Sequence, residues 1–150
     1  MGQQSAQEVI AHGCDLTVVS CMDFRLHLDL GPAIRECYGG SHIQYDFISL
    51  AGSCHRFVRE SPSAFETLMH DLSTSISKHS PETIALIQHQ QCAVYLDKFD
   101  FPNTDVEQAV LAQDAIDAEK VIKAVHSNVT VHRFLATIGS NNRFERLIRL

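Results

Sequence analysis

The sequence has no tryptophan, no hydrophobic run long enough to cross a bilayer and no excess of positive charge. The last two absences each exclude a class of function. A membrane-spanning helix needs about 20 consecutive apolar residues, and no stretch approaches that, so no membrane partner is expected. The 12 basic residues are outnumbered by 18 acidic ones, giving a formal charge of −6. A general nucleic-acid binder needs a basic face to displace counterions from phosphates, so nucleic acid is not an expected partner. The start of the chain, Met1-Gly2-Gln3-Gln4-Ser5-Ala6, lacks the basic-then-apolar pattern of a secretory signal. A cytoplasmic location follows as the default expectation. Repeats, low-complexity tracts and linker-like stretches are also missing, and 150 residues suit one folded unit, so a single domain over residues 1–150 is expected.

What is present is ordinary in bulk: 45% apolar and 20% charged residues, with eight Phe and three Tyr to fill a core. The five cysteines, Cys14, Cys21, Cys37, Cys54 and Cys92, are more telling. A domain of this size needs no disulfide staples. In a reducing compartment such thiols are core fillers, metal ligands or reactive groups.

Four apolar runs read as strands: Leu16 to Val19, Tyr45 to Leu50, Ile84 to Ile87, and Val129 to Ile138. The first and third are continuously apolar or β-branched, as in strands covered on both faces. The fourth mixes Val129, Val131 and Leu135 with His132 and Arg133 and reads as an edge strand. Helical patterns lie between them. Phe65, Leu68, Met69, Leu72 and Ile76 form one apolar stripe, opened by Ser61-Pro62, with Ser63 and Glu66 as a capping box, and closed by Ser80-Pro81. A longer helix is predicted from about Asp105, as its cap, to Val125, with Val106, Val110, Val121 and Val125 facing inward. A short helix spans Pro32 to Tyr38 before Gly39-Gly40. The chain from Arg143 to Leu150, with Arg143, Arg146 and Arg149 at every third position, reads as a terminal helix. Strand alternating with helix predicts an α/β fold: a small, mostly parallel, four-stranded sheet flanked by helices.

In such sheets ligands gather at the carboxyl ends of the strands, where the winding reverses. There the first strand leads into Cys21-Met22-Asp23-Phe24-Arg25 and the third into His89-Gln90-Gln91-Cys92. If the strands are neighbours, Cys21, His89 and Cys92 share one crevice. Two thiolates and an imidazole suit zinc, and three protein ligands leave a fourth position for water or a carboxylate. Spacing and topology alone leave this reading beside a blander one, in which Cys21 is a core thiol and His89 a histidine satisfied by backbone.

These segments resemble the β-class carbonic anhydrases. Val18-Val19-Ser20-Cys21-Met22-Asp23-Phe24-Arg25 is similar to that family's first motif, Ile48-Ser49-Leu50-Ala51-Gly52-Ser53 to its second, and Ile84 to Cys92 to its third. The resemblance runs from about Leu16 to Ile138. It implies that Cys21, His89 and Cys92 bind Zn2+ and that Asp23 and Arg25 form a catalytic dyad. It further implies reversible hydration of carbon dioxide to bicarbonate, a zinc-bound hydroxide being the nucleophile that Asp23 orients. Asp23 is also a possible fourth zinc ligand, exchanging between the metal and Arg25 as pH changes. A homodimer or larger homo-oligomer is implied as well. The rival expectations are a zinc hydrolase of carbon disulfide or carbonyl sulfide, and a zinc-binding relative without turnover.

Several positions depart from the family pattern. Phe24 stands for a small Ser and adds bulk near the dyad; Leu50 and Ser53 stand for Asn. Gln88 and Ala93 replace glycines, which predicts a different path for the loop that carries the ligands. Only some fifteen residues precede the first strand, so the helical arm that wraps a partner subunit is expected to be nearly absent. Cys14, Cys37 and Cys54 read as free thiols, buried or partly buried; the lesser alternative is that Cys54-His55, after Ala51-Gly52, reaches the site as an additional ligand or redox group. His12, His27, His42, His70, His79, His126 and His132 read as surface or helix-end residues.

Overall fold

The structure, a computed structural model, describes residues 12–150. Its elements alternate as the sequence pattern requires. They are β1 (Leu16–Cys21), α1 (Leu30–Cys37), β2 (Tyr45–Leu50), α2 (His55–Val58) and α3 (Pro62–His79). There follow β3 (Thr83–His89), α4 (Ala93–Leu96), α5 (Thr104–Val125), β4 (Thr130–Ile138) and β5 (Phe144–Arg149). A short 3-10 turn, Phe24–Leu26, follows β1. The strands form one sheet in the order β2-β1-β3-β4-β5, the first four parallel and β5 antiparallel to β4.

Side chains on successive strand residues point to opposite faces, and both faces of this sheet are covered. Val18, Ala85 and Ile87 pack with Leu30 and Ile34 of α1 in one buried cluster. Val19, Ile84 and Leu86 pack with Leu68 and Leu72 of α3 and Ala115, Ala118 and Ile122 of α5 in the other. This two-sided burial is why β1 and β3 read as unbroken apolar runs.

The sheet has five strands where four were expected, and the terminal helix is in fact β5. Arginine at every third position imitates a helical period, but so short a helix gains little by itself. Pairing with β4, from Phe134↔Arg149 to Ile138↔Phe144, satisfies the backbone instead. A tight turn with Asn142 at φ +59° makes the reversal. In consequence β4 lies inside the sheet rather than at its edge, and β2 is the parallel edge strand.

Two helix details also differ. The long helix is capped by Asn103, whose side chain accepts from Val106 N–H, and Asp105 lies in the first turn. Its buried stripe is Leu111, Ala115, Ala118 and Ile122, while Val106 and Val125 are 40% and 61% exposed. Small alanines let the helix approach the sheet more closely than valines would. On α3 the cap is Ser61 with Pro62 following, and no capping box forms between Ser63 and Glu66; the Ser63 hydroxyl instead meets that of Ser61. The short helix starts at Leu30, two residues before Pro32.

Candidate metal centre

β1 feeds β2 on one side, and the chain then crosses to lay β3 on the other, so the winding reverses between β1 and β3. Ser20 sits level with Ile87, which brings the carboxyl ends of both strands together. Cys21 ends β1, His89 ends β3, and Cys92 immediately precedes α4. The donor atoms of these three residues all lie within 4.8 Å of one another. All three are buried, at 6%, 1% and 2% exposure.

The imidazole is aimed. His89 Nδ1 lies 2.8 Å from the Gln90 carbonyl oxygen and donates to it, which fixes the tautomer and leaves the Nε2 lone pair facing the cluster. That Nε2 is buried without a hydrogen-bond partner. An orphaned acceptor in the interior is costly unless something binds it. The two thiols are close enough to share one proton. Their hydrogen bond, with His89 beside it, lowers the Cys21 thiol and pushes that of Cys92 up. Gly52 N–H also points at Cys21 Sγ, at 3.4 Å. Two sulfurs, a directed nitrogen and an unpaired lone pair fit a divalent, thiophilic ion such as zinc.

Backbone geometry around the cluster is tightly specified. Gly52 has φ +83°, and a Cβ there would meet Val94 Cγ1 at 2.9 Å and His55 Cβ at 3.0 Å. Gln91 takes φ +56° between the ligands, its N–H satisfied by the buried carboxylate of Glu107. Gln90 N–H bonds the Ala136 carbonyl, and its side-chain oxygen accepts from Ile138 N–H at 3.0 Å, tying this loop to β4.

The dyad is formed. Asp23 Oδ1 accepts from Arg25 N–H and Nε, each at 2.9 Å, and Oδ2 accepts from Nη2 at 2.8 Å. Arg25 is held in turn by the Gln91 carbonyl at 2.9 Å and by Asn142 Oδ1 at 3.0 Å. The Arg25 guanidinium holds the Asp23 carboxyl down at about 2, against the opposing push of burial. Asp23 Oδ2 stands 3.9 Å from His89 Nε2, beside the donor cluster and turned toward Arg25. A cavity of about 390 Å³ reaches Cys21 past Leu26, His27, Leu30, Tyr45 and Phe47, a mainly apolar lining.

The departures from the expected pattern resolve locally. Phe24 is 75% exposed and leaves the dyad uncrowded. Neither Gln88 nor Ala93 has a positive φ, so neither needs glycine here, and β3 stays regular through His89. Gln88 serves instead as a buried tie that sequence reasoning missed. Its amide donates to Tyr95 Oη at 2.9 Å and to the Leu111 carbonyl, and its oxygen accepts from Cys54 N–H. Tyr95 passes the chain on to Asp114, which Arg59 grips with two hydrogen bonds. A glutamine directly after the apolar run Ile84–Ile87 was the available signal. Cys54 does not join the site: it is sealed in the core, and burial pushes its thiol up to about 12. His55 stacks edge-on against Tyr95, with Nδ1 2.9 Å from Glu60 in a contact too oblique for a hydrogen bond.

With this geometry in place, the comparisons with known proteins agree. The family model described as "Putative carbonic anhydrase" matches residues 11–141. The chain belongs to this carbonic anhydrase family, and its fold is that of the β class. No curated protein matches the sequence. A carbonic anhydrase from Streptococcus mutans superposes with a TM-score of 0.57 at 17% identity, over 92% of this chain and 82% of that one. One of two tetrameric β-carbonic anhydrases from Sordaria macrospora gives 0.56 at 11%, over 93% and 81%. The apo form of a carbon disulfide hydrolase gives 0.53 at 12%, over 91% and 80%. At these identities the structural likeness concerns the fold alone.

Proposed function

We propose that this protein hydrates carbon dioxide reversibly to bicarbonate, using a zinc ion held by Cys21, His89 and Cys92. The observation that carries this reading is the buried, unpartnered Nε2 of His89, directed at two thiols whose donor atoms lie within 4.8 Å of it and of each other. Zinc bound there would supply a water acidified to near neutral pH, a competent nucleophile.

The chain's own residues supply the rest. Cys21, His89 and Cys92 would hold the ion through two thiolates and one imidazole, a three-donor set that would leave room for a water. Asp23 Oδ2, 3.9 Å from His89 Nε2, is placed to accept a hydrogen bond from the attacking water and so to direct its lone pair. Arg25 keeps Asp23 ionised and fixed in rotamer through its fork of hydrogen bonds. The apolar walls at Leu26, Leu30 and Phe47 admit an uncharged linear molecule, with His27 and Tyr45 as the polar groups of the lining. The same walls suit carbon disulfide or carbonyl sulfide, and the carbon disulfide hydrolase shares this fold. That is the second reading.

An oligomer fits the surface. Met22, Phe24, Leu28 and Phe47 are exposed apolar side chains on and near the open edge made by β2, beside the cavity mouth. A second copy is our preferred cover for them. We place the protein in the cytoplasm, where reducing conditions suit its five free thiols. Among the described residues no helix is long and apolar enough to cross a membrane.

The deciding experiment is a pH-indicator assay on zinc-loaded protein, with carbon dioxide and carbon disulfide as separate substrates and Arg25→Ala as control. Hydration that falls in the variant supports the proposal. Turnover of carbon disulfide alone selects the second reading, and bound zinc with neither rate leaves a metal-binding relative without turnover.

A further inference from the structure

At the opposite end of the sheet, a second group of ligand-type side chains comes together. Cys14 precedes β1, Asp46 lies near the start of β2, and His79 is the last residue of α3. Their donor atoms all lie within 4.8 Å of one another, and each residue is partly exposed. Cys14 and Cys21 are seven residue steps apart along nearly extended chain, which at strand rise is about 23 Å. This group therefore shares nothing with the centre described above.

The arrangement is built rather than incidental. Cys14 N–H bonds the His79 carbonyl at 3.0 Å, which locks the start of β1 to the end of α3. His79 Nδ1 meets Asp46 Oδ2 at 2.6 Å. The Ser75 hydroxyl donates to that same Oδ2 at 2.6 Å and lies 2.6 Å from Thr17 Oγ1, so a buried relay sets the carboxylate's orientation. Carboxylates and imidazoles that bind metals are held by just such outer hydrogen bonds. A fourth donor stands alongside: the His12 ring lies 4.6 Å from the His79 ring, centroid to centroid. A cavity of about 530 Å³ borders Asp46, Ser75 and His79 and opens a path for a hydrated ion.

We propose that Cys14, Asp46 and His79, with His12 as the fourth ligand, form a second site for a divalent transition ion of zinc's kind. Sulfur, carboxylate oxygen and imidazole nitrogen are the donors such ions favour. Tetrahedral bonds of these lengths put ligand atoms about 3.3–3.8 Å apart. The 2.6 Å contact of Asp46 with His79 must therefore open slightly as the ion replaces the proton between them. Cys14 gives up its thiol proton to solvent on binding. In this position the ion pins β1, β2 and α3 together at their shared end, a structural role that leaves the other centre's chemistry untouched.

The test is a titration of metal-free protein with Co2+, read by equilibrium stoichiometry and by the sulfur-to-cobalt charge-transfer band. Wild type should take up one more equivalent per chain than Cys14→Ser, and the band should lose one thiolate's share in that variant. His79→Ala, a change at a partly exposed helix end, should lose the same equivalent and serves if Cys14→Ser does not fold. Equal uptake by wild type and both variants overturns the site. So does an unchanged charge-transfer band in a folded Cys14→Ser protein.

Discussion

Asp23 and Arg25, two residues apart at the exit of β1, are joined by three hydrogen bonds that use both carboxylate oxygens, a backbone amide and two guanidinium nitrogens. The pair closes over the buried imidazole of His89. Arg25→Ala should free the carboxylate of Asp23, which in the proposed zinc site would let it turn toward the ion and displace the water. Carbon dioxide hydration should fall by about 10–100-fold, the usual loss when an outer hydrogen bond to a metal site goes. Zinc content should stay at the wild-type level. Arg25→Lys should recover little, because an ammonium cannot reproduce the planar fork. Stopped-flow rates with elemental analysis check both statements; loss of zinc in step with activity would assign Arg25 a structural role only.

The depressed Asp23 pKa makes stability depend on pH in a definite direction. The folded value is about 2 and the ordinary value 3.8, so the folded state binds this proton less readily than the unfolded chain. Its stabilisation is complete above the ordinary value and is lost as pH falls through about 2. Melting temperatures of metal-free wild type and Asp23→Asn should differ at neutral pH and converge toward pH 2. A gap that stays constant across that range would contradict the ion pair as its source.

Gly52 is required by both its positive φ and its close neighbours. Gly52→Ala sets a Cβ against Val94 and His55 in a region of backbone space that side chains avoid. About 1–3 kcal/mol of stability should be lost, and the shifted Gly52 amide should no longer meet Cys21 Sγ. Urea unfolding and zinc affinity should both weaken. A variant as stable as wild type would show that the loop gives way easily.

Gln88→Ala removes one side chain that satisfies three partners, leaving the Leu111 carbonyl and Cys54 N–H short of a hydrogen bond in the core. A loss of about 2 kcal/mol is expected. Because Gln88 points to the face opposite His89, zinc stoichiometry should hold. Chemical denaturation and metal analysis of one preparation test the separation of the two effects.

The juxtaposition of Cys21, His89 and Cys92 was legible because local signals coincided with topology. The apolar runs Leu16 to Val19 and Ile84 to Ile87 marked two covered strands, and their carboxyl ends supplied Cys21, His89 and Cys92. Elements whose form depends on distant partners were not legible. The Phe144–Arg149 segment has a helical spacing of arginines and becomes a strand only because β4 offers an open edge. The buried face of α5 was half legible: Val110 and Val121 pack against the cores as expected, while Val106 and Val125 are exposed and the smaller Ala115 and Ala118 lie deepest. Cys14, Asp46 and His79 come from three separate segments with no motif linking them, and only the fold makes them neighbours.

In the proposed function Cys21, His89 and Cys92 grip one ion together. Native mass spectrometry of zinc-loaded wild type and His89→Ala addresses this directly, since the difference between them isolates this centre from any other. One zinc fewer per chain is expected in the variant. Equal zinc in the two proteins, with His89→Ala folded, would contradict it.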